Sequence, residues 1–104
     1  VAWSNPELRS LDAKGDVADI PSTVNEATAT YSHKYGAAEL TALWQDPEFS
    51  AEQKAFYYVR VLEVPSPRWT AYDAAKFDVE MAPYVKKITQ DRAYSSPIWY
   101  EPSD

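Results

Sequence analysis

The pattern of apolar and polar positions predicts one strong β-strand near the middle of the chain, over residues 55–64. Its sequence, AFYYVRVLEV, is continuous, β-branched and aromatic, and these residue types suit a pleated surface. Side chains alternate between the two faces of a strand. One face would carry Tyr57, Val59 and Val61, and the other Phe56, Tyr58, Arg60 and Leu62. The pattern favours a central strand of an antiparallel sheet, which the prolines of Pro65-Ser66-Pro67 should end.

Three weaker patterns also predict strands. Residues 22–32 (STVNEATATYS) are rich in Thr, Val and Tyr, and residues 38–45 (AELTALWQ) alternate apolar with polar side chains. Residues 93–100 (AYSSPIWY) predict a final strand that is interrupted at Pro97.

Helix and loop signals are short. Residues 5–21 are polar with proline near each end, which predicts an exposed loop. Residues 50–53 (SAEQ) have the spacing of a capping box and predict one helical turn. Residues 70–77 (TAYDAAKF) predict a short helix capped by Thr70, and residues 78–90 show no regular pattern.

Together these elements predict a mainly-β fold with one or two short helices. We expect an antiparallel immunoglobulin-like sandwich, complete or partial, formed by residues 1–104 as a single domain. Fewer than five clear strands are visible, and the first residues, VAWS, resemble the tail of a strand. We therefore expect the chain to be a fragment of a domain of a longer protein.

Composition narrows the functional classes. The net charge is −6, so the chain lacks the basic stripe that nucleic-acid binding requires. No apolar run approaches the roughly 20 residues that cross a bilayer. The chain has no cysteine, which excludes disulfides, thiolate catalysis and cysteine-based zinc sites. Two glycines cannot supply a glycine-rich phosphate loop.

The sequence nominates no catalytic residue, metal ligand or cofactor. His33 is the only histidine, and it lies in a turn-like stretch without an evident nucleophile or ligand partner. Asp46 with Glu48, and Asp16 with Asp19, are pairs of carboxylates too sparse to predict a calcium site. We expect this chain not to be an enzyme.

The segment that follows the strong strand carries the candidate contact residues. Arg68, Trp69, Tyr72 and Asp73 place a guanidinium, an indole, a phenol and a carboxylate within six residues. Arginine and tryptophan are frequent anchors of protein interfaces. The same side chains could line a sugar or organic-anion site, or could simply pack back on the domain itself, and the sequence leaves all three readings open.

Three blocks of the chain resemble the C-terminal end of the domain of unknown function 3604 family. They are AELTALWQDPEF, AFYYVRVLEVPSPRWTAYDAAKF and RAYSSPIWYEP, and the resemblance covers roughly residues 23–102. The resemblance implies a bacterial parent protein that is several times longer than this chain. From the same resemblance we expect the parent protein to be exported. Its upstream part would resemble a PHP-type metal-dependent phosphoesterase. None of the motifs that would hold those metals is present here, so the resemblance assigns metal chemistry to no residue of this chain.

The resemblance also implies architecture and partners. The strand FYYVRV and the later AYSSPIW resemble the last two strands of the β-rich domain that follows PHP-like domains, here separated by a long insertion over about residues 65–90. The first functional hypothesis is an accessory domain that packs against the upstream catalytic domain of the same polypeptide. The alternative is an independent carbohydrate- or small-ligand-binding module with Trp69 and Tyr72 as its platform. If sheet edges are left open, a homodimer or strand exchange of the isolated chain should follow.

Overall fold

A computed structural model describes residues 1–103 of the chain. All six strands and the single helix lie in the second half of the chain, and every strand pair is antiparallel. The elements are β1 (Ala55–Tyr57), β2 (Arg60–Leu62), β3 (Ser66–Pro67), α1 (Trp69–Phe77), β4 (Ile88–Thr89), β5 (Arg92–Tyr94) and β6 (Ile98–Tyr100). The prediction of a mainly-β, antiparallel fold with a short helix is confirmed.

The six strands form one long two-stranded ribbon. β1 pairs with β6, β2 with β5 and β3 with β4, so that residues 55–68 run antiparallel to residues 87–100. The backbone N–H of Arg68 donates to the carbonyl of Lys87 at 2.8 Å and extends the pairing to the start of α1. The two strands that the long insertion separates therefore do pair. The strong strand is not central, however, because each two-stranded sheet gives it one neighbour only.

A bulge in the second arm separates β6 from β5. Two residues of the first arm, 58 and 59, face three residues of the second arm, 95–97. The N–H of Ser95 donates to the carbonyl of Val59, and the N–H of Val59 donates to Oγ of Ser95, both at 2.8 Å. Pro97 has no N–H to donate, so a bulge is where the ribbon can accept it. The predicted interruption of the last strand at Pro97 is confirmed.

A second bulge lies in the first arm. Residues 63–65 face residues 90 and 91, and the N–H of Glu63 donates to the carbonyl of Asp91 at 2.9 Å. β2 ends at Leu62, before the prolines, as predicted, but the ribbon does not end there, because pairing resumes in β3 at Ser66 and Pro67. Proline is tolerated here because the bulge accommodates one of them and the other lies on an arm with only one neighbouring strand.

Helix α1 begins one residue before the predicted start. Arg68 is its N-cap, with extended backbone and no side-chain cap hydrogen bond. The hydroxyl of Thr70 instead donates to the carbonyl of Lys86, which fastens the first turn of α1 to the returning chain. The helix ends at Asp78, which adopts the left-handed conformation with φ of 51°. The short helix is thus confirmed, but Thr70 is not its cap.

The two weaker strand predictions in the first half are wrong. Residues 22–32 contain a tight turn, in which Asn25 and Thr30 form an isolated bridge. The Asn25 side chain accepts hydrogen bonds from the N–H groups of Ala27 and Thr28, and this local bonding competes with a strand. Residues 38–45 and 1–4 adopt no regular structure. The predicted loop over 5–21 and the single turn at 50–53 are confirmed.

The chain is extended and has almost no core of its own. Its radius of gyration is 19.1 Å, against about 13 Å for a compact domain of this length. The buried apolar residues within 1–103 are Ala29, Pro67 and Ala71. Two facing sheets that enclose a core are not seen in the described residues, so the immunoglobulin-like sandwich is not confirmed.

Candidate functional site

An open groove lies where β3 meets α1. It has a volume of about 500 Å³, and it forms because the hydrogen bond from Thr70 holds the chain around residue 86 against the first turn of the helix. Its lining consists of Arg68, Trp69, Thr70, Met81, Tyr84, Val85 and Lys86. Two of the four residues that the sequence nominated, Arg68 and Trp69, therefore lie in this groove.

The groove combines positive charge with apolar walls. The guanidinium of Arg68 lies 6.0 Å from the centre of the Trp69 ring, and Lys86 lines the same space. The first turn of α1 carries no acidic residue that would neutralise them. Such a groove could hold a carboxylate or a small organic anion. Tyr72 and Asp73 do not line it, so the four nominated residues do not converge on one point, and their contact role stays a prediction.

A row of aromatic side chains covers one face of the ribbon. Ring centroids of Trp99 and Phe56 are 5.2 Å apart, those of Phe56 and Tyr58 are 6.3 Å apart, and those of Tyr58 and Tyr94 are 6.2 Å apart. We call these four residues the aromatic row. Arg60 ends it, with its guanidinium 5.9 Å from the centre of the Tyr94 ring. The exposed fractions of the four side chains lie between 54 % and 68 %, so the row is a surface feature.

Sequence reasoning had part of this row. The alternation of side chains along residues 55–64 predicted that Phe56, Tyr58 and Arg60 share one face. It missed Tyr94 and Trp99, which come from the other arm. The register Phe56↔Trp99 and Arg60↔Tyr94 brings them in, and a signal was available in the matching aromatic content of residues 93–100.

The opposite face of the ribbon is partly covered by residues 44–51. The Trp44 and Tyr57 rings meet edge to face at 6.0 Å, and the Tyr57 hydroxyl donates to Oδ2 of Asp46 at 2.8 Å. This hydrogen bond, with a smaller contribution from burial, raises the pKa of the Tyr57 phenol above its ordinary value. At the end of the ribbon, Phe49 packs edge to face on Tyr100 at 4.9 Å. The segment therefore caps one end of this face and leaves the aromatic row open.

The remaining candidates of the sequence have structural or solvent-exposed positions. His33 is exposed and lies edge to face with Tyr31 at 5.2 Å. The Asp46 carboxylate accepts hydrogen bonds from the Tyr57 hydroxyl and from the backbone N–H of Glu48. Asp16 and Asp19 are exposed. The N–H groups of Asp16 and Lys14 donate to the side chain of Asp12, which is not one of those candidates, and these hydrogen bonds lower the pKa of Asp12.

Over residues 1–103, no cluster of three or more acidic or histidine side chains is placed to hold a metal ion. In the same part of the chain, no helix has the length and apolar character needed to cross a membrane.

Comparison with known proteins gives a family and no function. A family model described as "Protein of unknown function (DUF3604)" matches residues 1–102. Because the match covers nearly the whole chain, the chain belongs to this family. Neither the curated proteins nor the solved structures contain a significant match.

Proposed function

We propose that this member of the DUF3604 family is a non-catalytic accessory domain that packs against a PHP-like phosphoesterase domain located upstream in the same polypeptide. The observation that carries the proposal is the large apolar surface that the chain leaves uncovered. The four side chains of the aromatic row form a contiguous set of rings and are each at least 54 % exposed. Monomeric soluble proteins rarely expose contiguous apolar patches of this kind unless a partner covers them.

The accessible area gives the size of the contact that is needed. The chain exposes 8798 Å², whereas a compact monomer of 11.8 kDa exposes about 5900 Å². The excess, about 2900 Å² on one chain, is well above the roughly 800 Å² that each partner buries in a standard protein interface. Contacts of this extent are typical of obligate association, such as that between domains that share one core.

The topology supports the same proposal. An isolated two-stranded ribbon is at best marginally stable in water, and it requires a third strand or a packed face for independent stability. Within residues 1–103, no third strand pairs with either arm of the ribbon, and α1 covers only the end of the ribbon next to β3. A neighbouring domain that covers the ribbon supplies the missing layer.

Deletion of the segment equivalent to residues 1–103 from the full-length protein tests this function. We expect the shortened protein to keep its bound metals, measured by elemental analysis, and to lose several degrees in its unfolding temperature, because its own docking surface becomes exposed. Activity towards phosphate esters should fall together with the unfolding temperature, while the metal content stays unchanged. A shortened protein with unchanged unfolding temperature and activity would refute the accessory role.

A second candidate, an independent carbohydrate-binding module, is favoured by one observation. Trp69 and Tyr72 on α1 are 61 % and 49 % exposed, as a stacking platform for a sugar requires. This candidate predicts that the isolated chain binds glycans on an array and that Trp69→Ala abolishes the signal. The accessory role predicts no glycan binding by the isolated chain.

A further inference from the structure

The face of the ribbon that carries the aromatic row has a defined order of side chains. At one end, Lys54 and Glu101 form an ion pair at 3.3 Å. These residues lie two positions before Phe56 and two positions after Trp99, so alternation puts them on the same face as the row. At the other end, Arg92 lies opposite Leu62, two positions from Tyr94. The face therefore runs from a neutralised ion pair, across four aromatic rings, to two arginines.

We propose that this face, comprising the aromatic row with Arg60 and Arg92, is the docking surface for the upstream domain, and that the surface it meets is apolar and bordered by carboxylates. The inference rests on the proposed function and names the contact through which it works. Aromatic residues and arginine are the residue types enriched at the buried centre of interfaces. Here they are contiguous, exposed and free of any covering segment of residues 1–103.

The positive charges on this face restrict the kind of protein surface that can dock there. The chain is acidic overall, with 16 carboxylate and 10 basic side chains, yet this end of the ribbon concentrates Arg60 and Arg92. Neither arginine forms an ion pair within residues 1–103. A docked partner that removes them from water must supply counter-charges, since an unpaired buried charge is costly. A partner with carboxylates at that position satisfies this requirement.

A second copy of the chain fits this face poorly. Two copies packed face to face would bring the arginines either against each other or against the end that carries Glu101. The carboxylate of Glu101 is already paired with Lys54. Neither arrangement gives the two arginines a free counter-charge, so the observations favour the upstream domain over a homodimer at this face.

Footprinting of the full-length protein tests the proposal. Hydroxyl-radical labelling with mass spectrometry measures the solvent exposure of each aromatic side chain. Tyr31, which is 37 % exposed and lies outside both the ribbon and the groove, serves as the internal reference. After correction for intrinsic reactivity, we expect labelling of Phe56, Tyr58, Tyr94 and Trp99 to be less than about one fifth of that of Tyr31, as burial at the centre of an interface requires.

Two matched variants separate charge complementarity from general effects. In the full-length protein, Arg60→Glu with Arg92→Glu should restore labelling of the aromatic row, because like charges then face each other. The control, Lys14→Glu with Lys34→Glu, makes the same change in net charge at exposed loop positions and should leave the row protected. If the double arginine variant fails to fold, Arg60→Leu with Arg92→Leu removes the charges without adding repulsion and should weaken protection in a graded way.

The outcomes distinguish the docking surface from the accessory role itself. If the row is labelled in the full-length protein as strongly as Tyr31 while other apolar residues are protected, the accessory role stands and this docking surface is wrong. If no residue of the chain gains protection, both are wrong. Protection of the row that disappears on dilution, or on addition of a competing glycan, would assign the face to a second copy or to a sugar and would overturn the proposal.

Discussion

At the scale of single residues, the contact between Tyr57 and Asp46 fastens an irregular segment to the ribbon. The phenol is both a hydrogen-bond donor to the Asp46 carboxylate and an edge-to-face partner of Trp44. No regular backbone pairing holds residues 44–46 in place, since they form no strand or helix. Side-chain bonding is therefore what keeps this part of the chain on the ribbon.

This contact predicts a pH dependence at the alkaline end. Because the folded-state pKa of Tyr57 is raised, the folded state holds the phenol proton more tightly than the unfolded state does. Its contribution to stability is complete below the unfolded pKa of about 10 and is lost as the pH rises through the raised folded pKa. We expect the urea midpoint of the full-length protein to fall over this interval, and Tyr57→Phe to remove part of that fall.

The matched control is Tyr84→Phe. Tyr84 is the most exposed tyrosine that the structure describes, and its hydroxyl makes no hydrogen bond within residues 1–103. This variant should leave the alkaline fall of the urea midpoint unchanged. An equal effect of the two substitutions would show that the bond between Tyr57 and Asp46 does not form.

At the scale of elements, the bulge that carries Ser95 holds the ribbon together across Pro97. Oγ of Ser95 accepts from the Val59 N–H and donates to the Ser96 carbonyl at 3.1 Å, so one hydroxyl replaces the backbone pairing that proline prevents. In the full-length protein, Ser95→Ala should lower the free energy of unfolding by about 0.5–1.5 kcal/mol, the usual net value of one hydrogen bond. Native-state hydrogen exchange should show faster exchange at the Val59 amide.

Ser96→Ala is the control for this element, because within residues 1–103 the Ser96 side chain takes part in no hydrogen bond and only the Ser96 carbonyl accepts one. Its Val59 amide should exchange at the wild-type rate. If both serine variants exchange alike, the bulge is not held by the Ser95 hydroxyl.

The elements also show what the sequence can and cannot predict. Residues 55–64 and 93–100 were predictable because β-branched and aromatic residues alternate there, and each stretch finds the other as its partner. Residues 22–32 have similar residue types but no partner strand, and the Asn25 side chain makes a turn instead. Local propensity does not reveal whether a partner exists. Arg68 and Trp69 could be predicted as contact residues because they lie in one segment of the sequence. The aromatic row could not be predicted in the same way, because it forms only when two distant segments of the chain pair.

At the scale of the whole molecule, the lack of a core governs the behaviour of the isolated chain. The buried apolar residues of the part that the structure describes, Ala29, Pro67 and Ala71, are small, and their burial cannot offset the conformational entropy of ordering so long a chain. We expect the isolated chain to unfold over a broad temperature range without a cooperative transition. It should also bind a hydrophobic dye, and small-angle scattering should give a radius of gyration near or above 19.1 Å.

Dye binding can be assigned to the exposed aromatic surface with two further variants. Phe56→Ser with Trp99→Ser removes half of the aromatic row and should lower dye binding, whereas His33→Ser, at an exposed turn, should not. Cooperative unfolding together with a radius near the roughly 13 Å of a compact domain would mean that the isolated chain closes on its own apolar surface. In that case no neighbouring domain would be needed to cover the ribbon, and the exposed face would not support an accessory role.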